Sequence, residues 1–274
     1  MTTQEIDLAT FAREWEEWHL AHERALADPH GFLAVTGLHW LDAEPTRFPD
    51  APGAWSTTAA GVVVELADGE ELVVDGTPVR GRHSFGVVAE RDSLYARAGE
   101  AVIEVAKRGG HDLVRPRHPD HSLRAEYTRT PAYAPDPRWA VTGRYLPFDA
   151  PRAVTVGAAV EGLQHVYDAP GEIEFELADG RSYRLTAFNG GRPGSLQVLF
   201  TDATSGVTTY AANRSLAVDA PDAQGRVVLD FNRAVNLPCA YTDLATCPLP
   251  PAGNRLPVAV EAGEKIPFER LGRA

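Results

Sequence analysis

The spacing of apolar positions sets two regimes along the chain. Near the start, Leu8, Phe11, Trp15, Trp18, His22 and Leu26 recur at three- and four-residue steps, while Glu14, Glu16, Glu17 and Glu23 fall opposite. This 3.6-residue period predicts an amphipathic helix, capped by Asp7 or Thr10 and ended by Asp28, Pro29 and Gly31. Its aromatic stripe is expected to pack on a sheet. Beyond breaks at Gly37, Pro45 and Pro49 the period drops to two. Gly61 to Leu66, Leu72 to Val74, Val87 to Ala96 and Ala101 to Lys107 read as strands, with turns at Asp68-Gly69 and Asp75-Gly76.

A second β series follows. Arg138 to Phe148 and Arg152 to Gly157 read as strands separated by prolines, and Ile173, Phe175 and Leu177 alternate with Glu172, Glu174 and Glu176. Tyr183 to Ala187, Leu196 to Phe200, Val207 to Tyr210, Leu216 to Val218 and Val227 to Phe231 continue an antiparallel meander. The expected fold is mainly β with an N-terminal amphipathic helix and two antiparallel β regions, sandwich or barrel-like, joined by a Pro/Arg-rich connection. It divides into the helix at 1–30, a small β domain at 31–115, the connection at 116–137, and a larger β domain at 138–274 closed by a Pro-rich C-terminal segment.

Periodicity stops between Asp230 and Lys265. Five prolines lie from Pro238 to Pro257, too many for a helix or a central strand. Yet the stretch holds both cysteines, Cys239 and Cys247, with Tyr241, Leu244, Leu249 and Leu256. A long irregular segment of this content reads as a functional loop held against a scaffold.

A net charge of −12 without a basic run argues against nucleic acid as a partner. No apolar run has membrane-spanning length, and the N-terminus lacks the form of a secretion signal, so a cytoplasmic location is expected. Lysine occurs only at Lys107 and Lys265. His118 and His121 have helical ligand spacing, but Pro119 lies between them and no third ligand set stands at a recognised distance; no metal is expected. Phosphate-loop, dinucleotide and nucleophile-elbow patterns are missing, so no cofactor is expected.

The C-terminal run resembles an uncharacterised bacterial family, domain-of-unknown-function family 1684. The resemblance rests on Asp230-Phe231-Asn232-Arg233, Asn236, Pro238-Cys239-Ala240, Ala245 to Pro251, Asn254 to Val258 and Glu261 to Lys265, with weaker similarity at Asp202, Thr204, Gly206, Thr209-Tyr210 and Arg214 and back to Gly37-Leu38 and Trp40-Leu41, so that it is expected to cover nearly the whole chain. Leu237 and Asn213 depart from the family pattern. No activity is carried over. The first β region also resembles forkhead-associated domains in its glycine-bearing hairpin, without their arginine and serine pattern.

Arginine forks suit carboxylate or phosphate, and amides orient a ligand without charge. Asn232, Arg233, Asn236, Tyr241, Asn254 and Arg255 are therefore candidate ligand-binding residues for an anionic or polyhydroxylated small molecule. Glu261, Glu264, Lys265 and Cys239 are candidate catalytic groups of a hydrolase- or lyase-type enzyme. The same asparagines and arginines would equally satisfy the backbone of a proline-rich loop. The cysteines admit a reversible disulfide, a nucleophile at Cys239, or packing, the last expected for Cys247. A contrasting reading is a non-enzymatic interaction module, forkhead-associated-like in its first β domain, with a purely structural C-terminal segment.

Overall fold

The computed structural model describes residues 7–271, so positions 1–6, grouped above with the helix, and 272–274 lie outside the described residues. The chain divides into two compact units, one of Ala25–Thr128 with Leu244–Thr246, the other of Met1–Arg24, Arg129–Asp243 and Cys247–Ala274.

In the first unit ten antiparallel strands follow in order: β1 (His39–Trp40), β2 (Thr46–Phe48), β3 (Ala51–Thr58), β4 (Gly61–Glu65), β5 (Leu72–Val74), β6 (Thr77–Val79), β7 (Arg82–Gly86), β8 (Ser93–Ala98), β9 (Ala101–Arg108) and β10 (His111–Arg117). They form a four-stranded sheet, β2-β3-β4-β7, and a six-stranded sheet, β1-β10-β9-β8-β5-β6. Trp55, Val62 and Val64 of the smaller sheet share one core with Ile103, Val105 and Val114 of the larger, as period-two alternation dictates for a half-buried strand. The expected strand from Val87 begins only at Ser93.

The buried Glu104 lies within this sandwich. Arg115 holds it with Nε and Nη2 at 2.9 and 3.0 Å, Arg117 also donates to it, and Ser93 Oγ donates at 2.7 Å. Burial alone would raise the pKa of this acid, but the two guanidinium groups outweigh it and hold it at about 2 against a usual 4.5. The carboxylate therefore stabilises the folded state fully above pH 4.5, and that stabilisation, up to about 3 kcal/mol, disappears as the pH falls toward about 2. Urea midpoints followed from pH 5 to pH 2 should drop across this window, with a shallower slope in a Glu104→Gln chain.

His39, His118 and His121 also serve this unit's structure. His39 Nε2 meets Asp50 Oδ1 at 2.7 Å, His118 Nδ1 accepts the Asp120 N–H at 3.2 Å, and His121 Nδ1 meets the Leu33 carbonyl at 3.1 Å. His121 immediately precedes the short helix α2 (Ser122–Glu126); the helix α1 (Leu8–Leu26) precedes both.

The second unit is a single six-stranded antiparallel sheet of β11 (Ala140–Gly157), β12 (Gln164–Glu176), β13 (Ser182–Asn189), β14 (Leu196–Phe200), β15 (Arg214–Val218) and β16 (Arg226–Asp230), in the order β15-β14-β13-β12-β11-β16. Its two edge strands approach each other, so the sheet curls. The two strands expected on either side of Pro147 and Pro151 are one long strand, with a register shift between Pro147 and Arg152. A bulge accepts proline because its missing N–H is not required by the ladder there. Val207 to Tyr210, expected as a strand, is a turn with one isolated bridge, Ser205 to Thr209. Ile173, Phe175, Val198, Phe200 and Leu229 fill the concave face, and Leu256, Val260 and Ala262 of the C-terminal segment complete that core. A short helix, α3 (Phe268–Leu271), follows. Among the described residues no helix is long and apolar enough to cross a membrane.

Candidate functional site

The C-terminal segment has few ladder partners, so side chains must satisfy its backbone. Asn254 Oδ1 accepts the Thr186 N–H, and its Nδ2 donates to the carbonyls of Thr186 and Leu199, all at 2.8 Å. Asn232 is used likewise: Oδ1 accepts the Asp136 N–H and Nδ2 donates to the Asp136 carbonyl, both at 2.9 Å. Both amides are buried. Their side chains hydrogen-bond backbone groups of neighbouring segments. Arg255 is exposed and its backbone bridges to Thr201.

Cys239 and Cys247 are buried and form no disulfide. The Cys239 N–H donates to Cys247 Sγ at 3.3 Å, and Arg270 binds the Cys239 and Ala240 carbonyls at 2.8 and 3.1 Å. The hydrogen bond to Cys247, and then burial, push the Cys239 thiol up. An activated nucleophile needs the opposite, an accessible site that lowers the thiol pKa. The surroundings of Cys239 are those of a packed thiol.

Glu261 lines a pocket of about 380 Å³ together with Tyr133, Asp136, Arg138, Trp139 and Asp179. Three carboxylates face one arginine, and that arginine is already paired with Asp136 at 2.6 Å. Such walls do not suit an anion.

The remaining candidates converge elsewhere. Gly263, with φ of 75°, turns the chain, and the Glu264 N–H then donates to the Ala234 carbonyl at 2.9 Å. Glu264 is buried, and its Oε2 accepts the Asn236 N–H at 2.6 Å and the Tyr241 hydroxyl at 3.4 Å. Tyr241 also meets Thr130 Oγ1 at 2.8 Å. Asn236 Nδ2 donates to the Lys265 carbonyl at 2.8 Å, while Lys265 Nζ sits 4.2 Å from the Tyr133 ring centroid.

The other side of this site is helix α1, which the sequence pattern assigned to packing. Its N-terminus is capped as expected, with Asp7 accepting from the Ala9 N–H at 3.1 Å and the Thr10 hydroxyl at 2.6 Å. The stripe does not lie on strands, however. Trp15 Nε1 donates to the Asn232 carbonyl at 2.7 Å, and the Arg233 guanidinium lies 5.4 Å from the Trp18 ring centroid. His19 stacks on Trp15 at 4.8 Å and His22 on Trp18 at 5.8 Å. Glu23, expected on the solvent face, turns inward, and its Oε2 accepts the Thr130 N–H at 3.1 Å.

His22 Nε2 lies 3.2 Å from Glu264 Oε1, within ion-pair distance but not aligned for a hydrogen bond. Burial disfavours a charged ring at His22, but Glu264 and Glu23 outweigh it and raise its pKa. The signal for this cluster was His19-x-x-His22-Glu23, whose spacing puts three polar groups on one helix face.

Fold and site together define a mainly antiparallel β protein whose long N-terminal helix presents histidines and a carboxylate to a proline-rich C-terminal segment. The chain belongs to the family described as “Protein of unknown function (DUF1684)”, which matches residues 125–265. Glu264 falls inside that match and the helix outside it. No curated protein matches the chain. Among solved structures it is similar to an uncharacterized protein of Haloarcula marismortui, at 32% identity over 52% of this chain and 79% of that one, with a TM-score of 0.44.

Proposed function

We propose that the protein binds a small anionic metabolite and acts on it as a hydrolase- or lyase-type enzyme at the face between α1 and the C-terminal segment. The observation that carries this reading is the His22–Glu264 pair. A carboxylate 2% exposed lies against an imidazole 27% exposed, so a proton-carrying ring is held from behind and remains open in front.

Two cations belong to the same segment as Glu264. Arg233 uses Nε for its ion pair with Asp230 at 3.2 Å, and no hydrogen bond occupies its terminal nitrogens among the described residues. Lys265, next to Glu264, has no carboxylate partner among the described residues and rests on Tyr133. Cations without full counter-charges on the segment that meets this histidine favour an anionic substrate.

A thermal-shift panel of phosphorylated and carboxylated metabolites tests this. A ligand present at a hundred times its Kd should stabilise the protein by about 2.7 kcal/mol, an upward shift of several degrees. Arg233→Ala and Lys265→Ala should abolish the shift while leaving the unliganded melting temperature within about a degree, because both side chains are partly exposed. The reading fails if no anion in the panel stabilises the wild type, or if both variants respond as it does.

A further inference from the structure

The cluster on α1 is over-supplied with ligand atoms and under-supplied with hydrogen bonds. One ligand atom each from His19, Glu23 and Glu264 lies within 4.8 Å of the other two. Two carboxylates brought this close in a largely desolvated place repel each other. Glu264, the more buried, forms no ion pair with arginine or lysine among the described residues. Three buried atoms here make no hydrogen bond: His19 Nδ1, and His22 Nε2 and Glu264 Oε1, which face each other at 3.2 Å without hydrogen-bond alignment. A buried polar atom without a hydrogen bond is costly, and one cation shared by the two carboxylates and the His19 ring would relieve their repulsion.

The surroundings are those of oriented metal ligands. Glu264 Oε2 is fixed by the Asn236 N–H and the Tyr241 hydroxyl, which leaves Oε1 directed to the cluster. Glu23 is fixed by the Thr130 N–H, and the His19 ring is held flat against Trp15, 14° from parallel. Outer partners of this kind set the direction and basicity of metal-binding side chains. Imidazole with carboxylate is the donor set of first-row divalent transition ions, whereas calcium and magnesium take oxygen alone.

We propose that His19, Glu23 and Glu264 form a binding site for a first-row divalent cation of the zinc or manganese type, with His22 beside the open coordination position. Three protein ligands and an open position are the pattern of a catalytic rather than a structural site. Ligand atoms about 2.1 Å from one ion stand about 3.4 Å apart, so binding draws the present spacing in through rotation of His19 and Glu23, whose side chains are 14% and 11% exposed. The proposal deepens the functional reading above by saying what occupies the same site, but metal content is measured without any substrate, so the two fail separately.

The test is metal content of the full chain after chelator treatment and dialysis against zinc, manganese or cobalt(II) chloride, read by elemental mass spectrometry and melting temperature. About one ion per chain and a higher melting temperature are expected for at least one metal, with affinity reduced at least 100-fold in His19→Ala and Glu23→Gln. Both positions are partly exposed, which keeps the variants folded, and circular dichroism checks that they are. Glu264→Gln should lose the ion as well, and His22→Ala should keep it. Folded wild type that retains no ion, or a His19→Ala chain that binds like wild type, overturns the site. Loss of the ion in His22→Ala overturns the placement of His22 at the open position.

Discussion

An Asp202→Ala chain should lose about 3–5 kcal/mol of stability, the usual cost of removing one partner of a buried ion pair. Asp202 and Arg214 meet at 2.8 Å, 0% and 1% exposed. Burial pulls the Arg214 pKa down and Asp202 only partly restores it, so the pair holds a charge that the core disfavours. The pair persists because both groups are saturated by backbone. Asp202 Oδ2 also accepts the Val260 N–H at 3.0 Å, and Oδ1 accepts the Thr204 N–H at 3.0 Å and hydroxyl at 2.6 Å. Arg214 donates to the Val260 carbonyl at 3.1 Å and to the Ala262 carbonyl.

The pair therefore ties β15 to the irregular run that ends just before Gly263 and Glu264. Removing Asp202 leaves an uncompensated guanidinium inside the sheet and frees that run. The measurement is the urea midpoint at neutral pH, together with amide exchange at Val260 and Glu264. Both amides should lose protection in the variant well before the strand pairs of β11 and β12 do. The double replacement Asp202→Leu with Arg214→Met should recover only part of the loss, because an apolar pair removes both buried charges but leaves the Val260 N–H and the Val260 and Ala262 carbonyls without these partners. A recovered stability with unrecovered protection at Glu264 would mean that the polar pair serves the site's geometry rather than the fold's free energy.

What could be read from the sequence follows from how local each signal is. The strands of the second unit were legible because Ile173, Phe175 and Leu177 alternate with glutamates, and a one-residue period error would have put those acids in the core. Pro147 and Pro151 misled in the opposite sense: proline ends a regular ladder, but a register shift lets one strand pass through both. Of the candidate site, Glu264, Tyr241, Asn236 and Lys265 do meet, because the end of the segment folds back on its beginning, with the Glu264 N–H on the Ala234 carbonyl. Asn254, Asn232 and Arg255 carry the same chemistry in the alphabet but face backbone or solvent. Residue type could not separate these two uses, because an amide that orients a ligand and an amide that caps a carbonyl look alike in sequence.

The role of helix α1 is hidden in the sequence for a different reason. Trp15 and Trp18 account for an amphipathic stripe without remainder, and His19 and Glu23 lie at its border rather than across from it. Their counterpart is Glu264, near the far end of the chain, and no spacing rule reaches that distance. The cysteines show the reverse case. Cys239 is chemically eligible as a nucleophile, but eligibility depends on access and on what surrounds the sulfur; here the side chain is buried, and Cys247 and then burial push the thiol pKa up.

Gly263→Ala should cost roughly 4 kcal/mol and remove the site along with it. At φ of 75° a side chain is already strained, worth about 1–2 kcal/mol. A Cβ there would also stand 2.5 Å from the Ala234 carbonyl oxygen and 2.9 Å from that of Phe231. Both obstacles are backbone, held by the short turn 231–233, so neither can swing aside as a side chain would, and relief of that overlap costs a further ~1–3 kcal/mol. The relief available is displacement of residues 263–265, which breaks the bond from the Glu264 N–H to Ala234 and pulls Glu264 away from Asn236 and Tyr241. Gly253 offers the control, because a Cβ there meets nothing within 4 Å and its φ is not in the left-handed range. Gly253→Ala should change the urea midpoint by less than about 0.5 kcal/mol equivalent. Tryptophan fluorescence gives the local readout: Trp15 and Trp18 pack against the segment that Gly263 positions, so Gly263→Ala should shift their emission toward that of exposed indole at urea concentrations where Gly253→Ala is still native. Equal midpoints for the two variants would show that the turn at 263 does not hold the site.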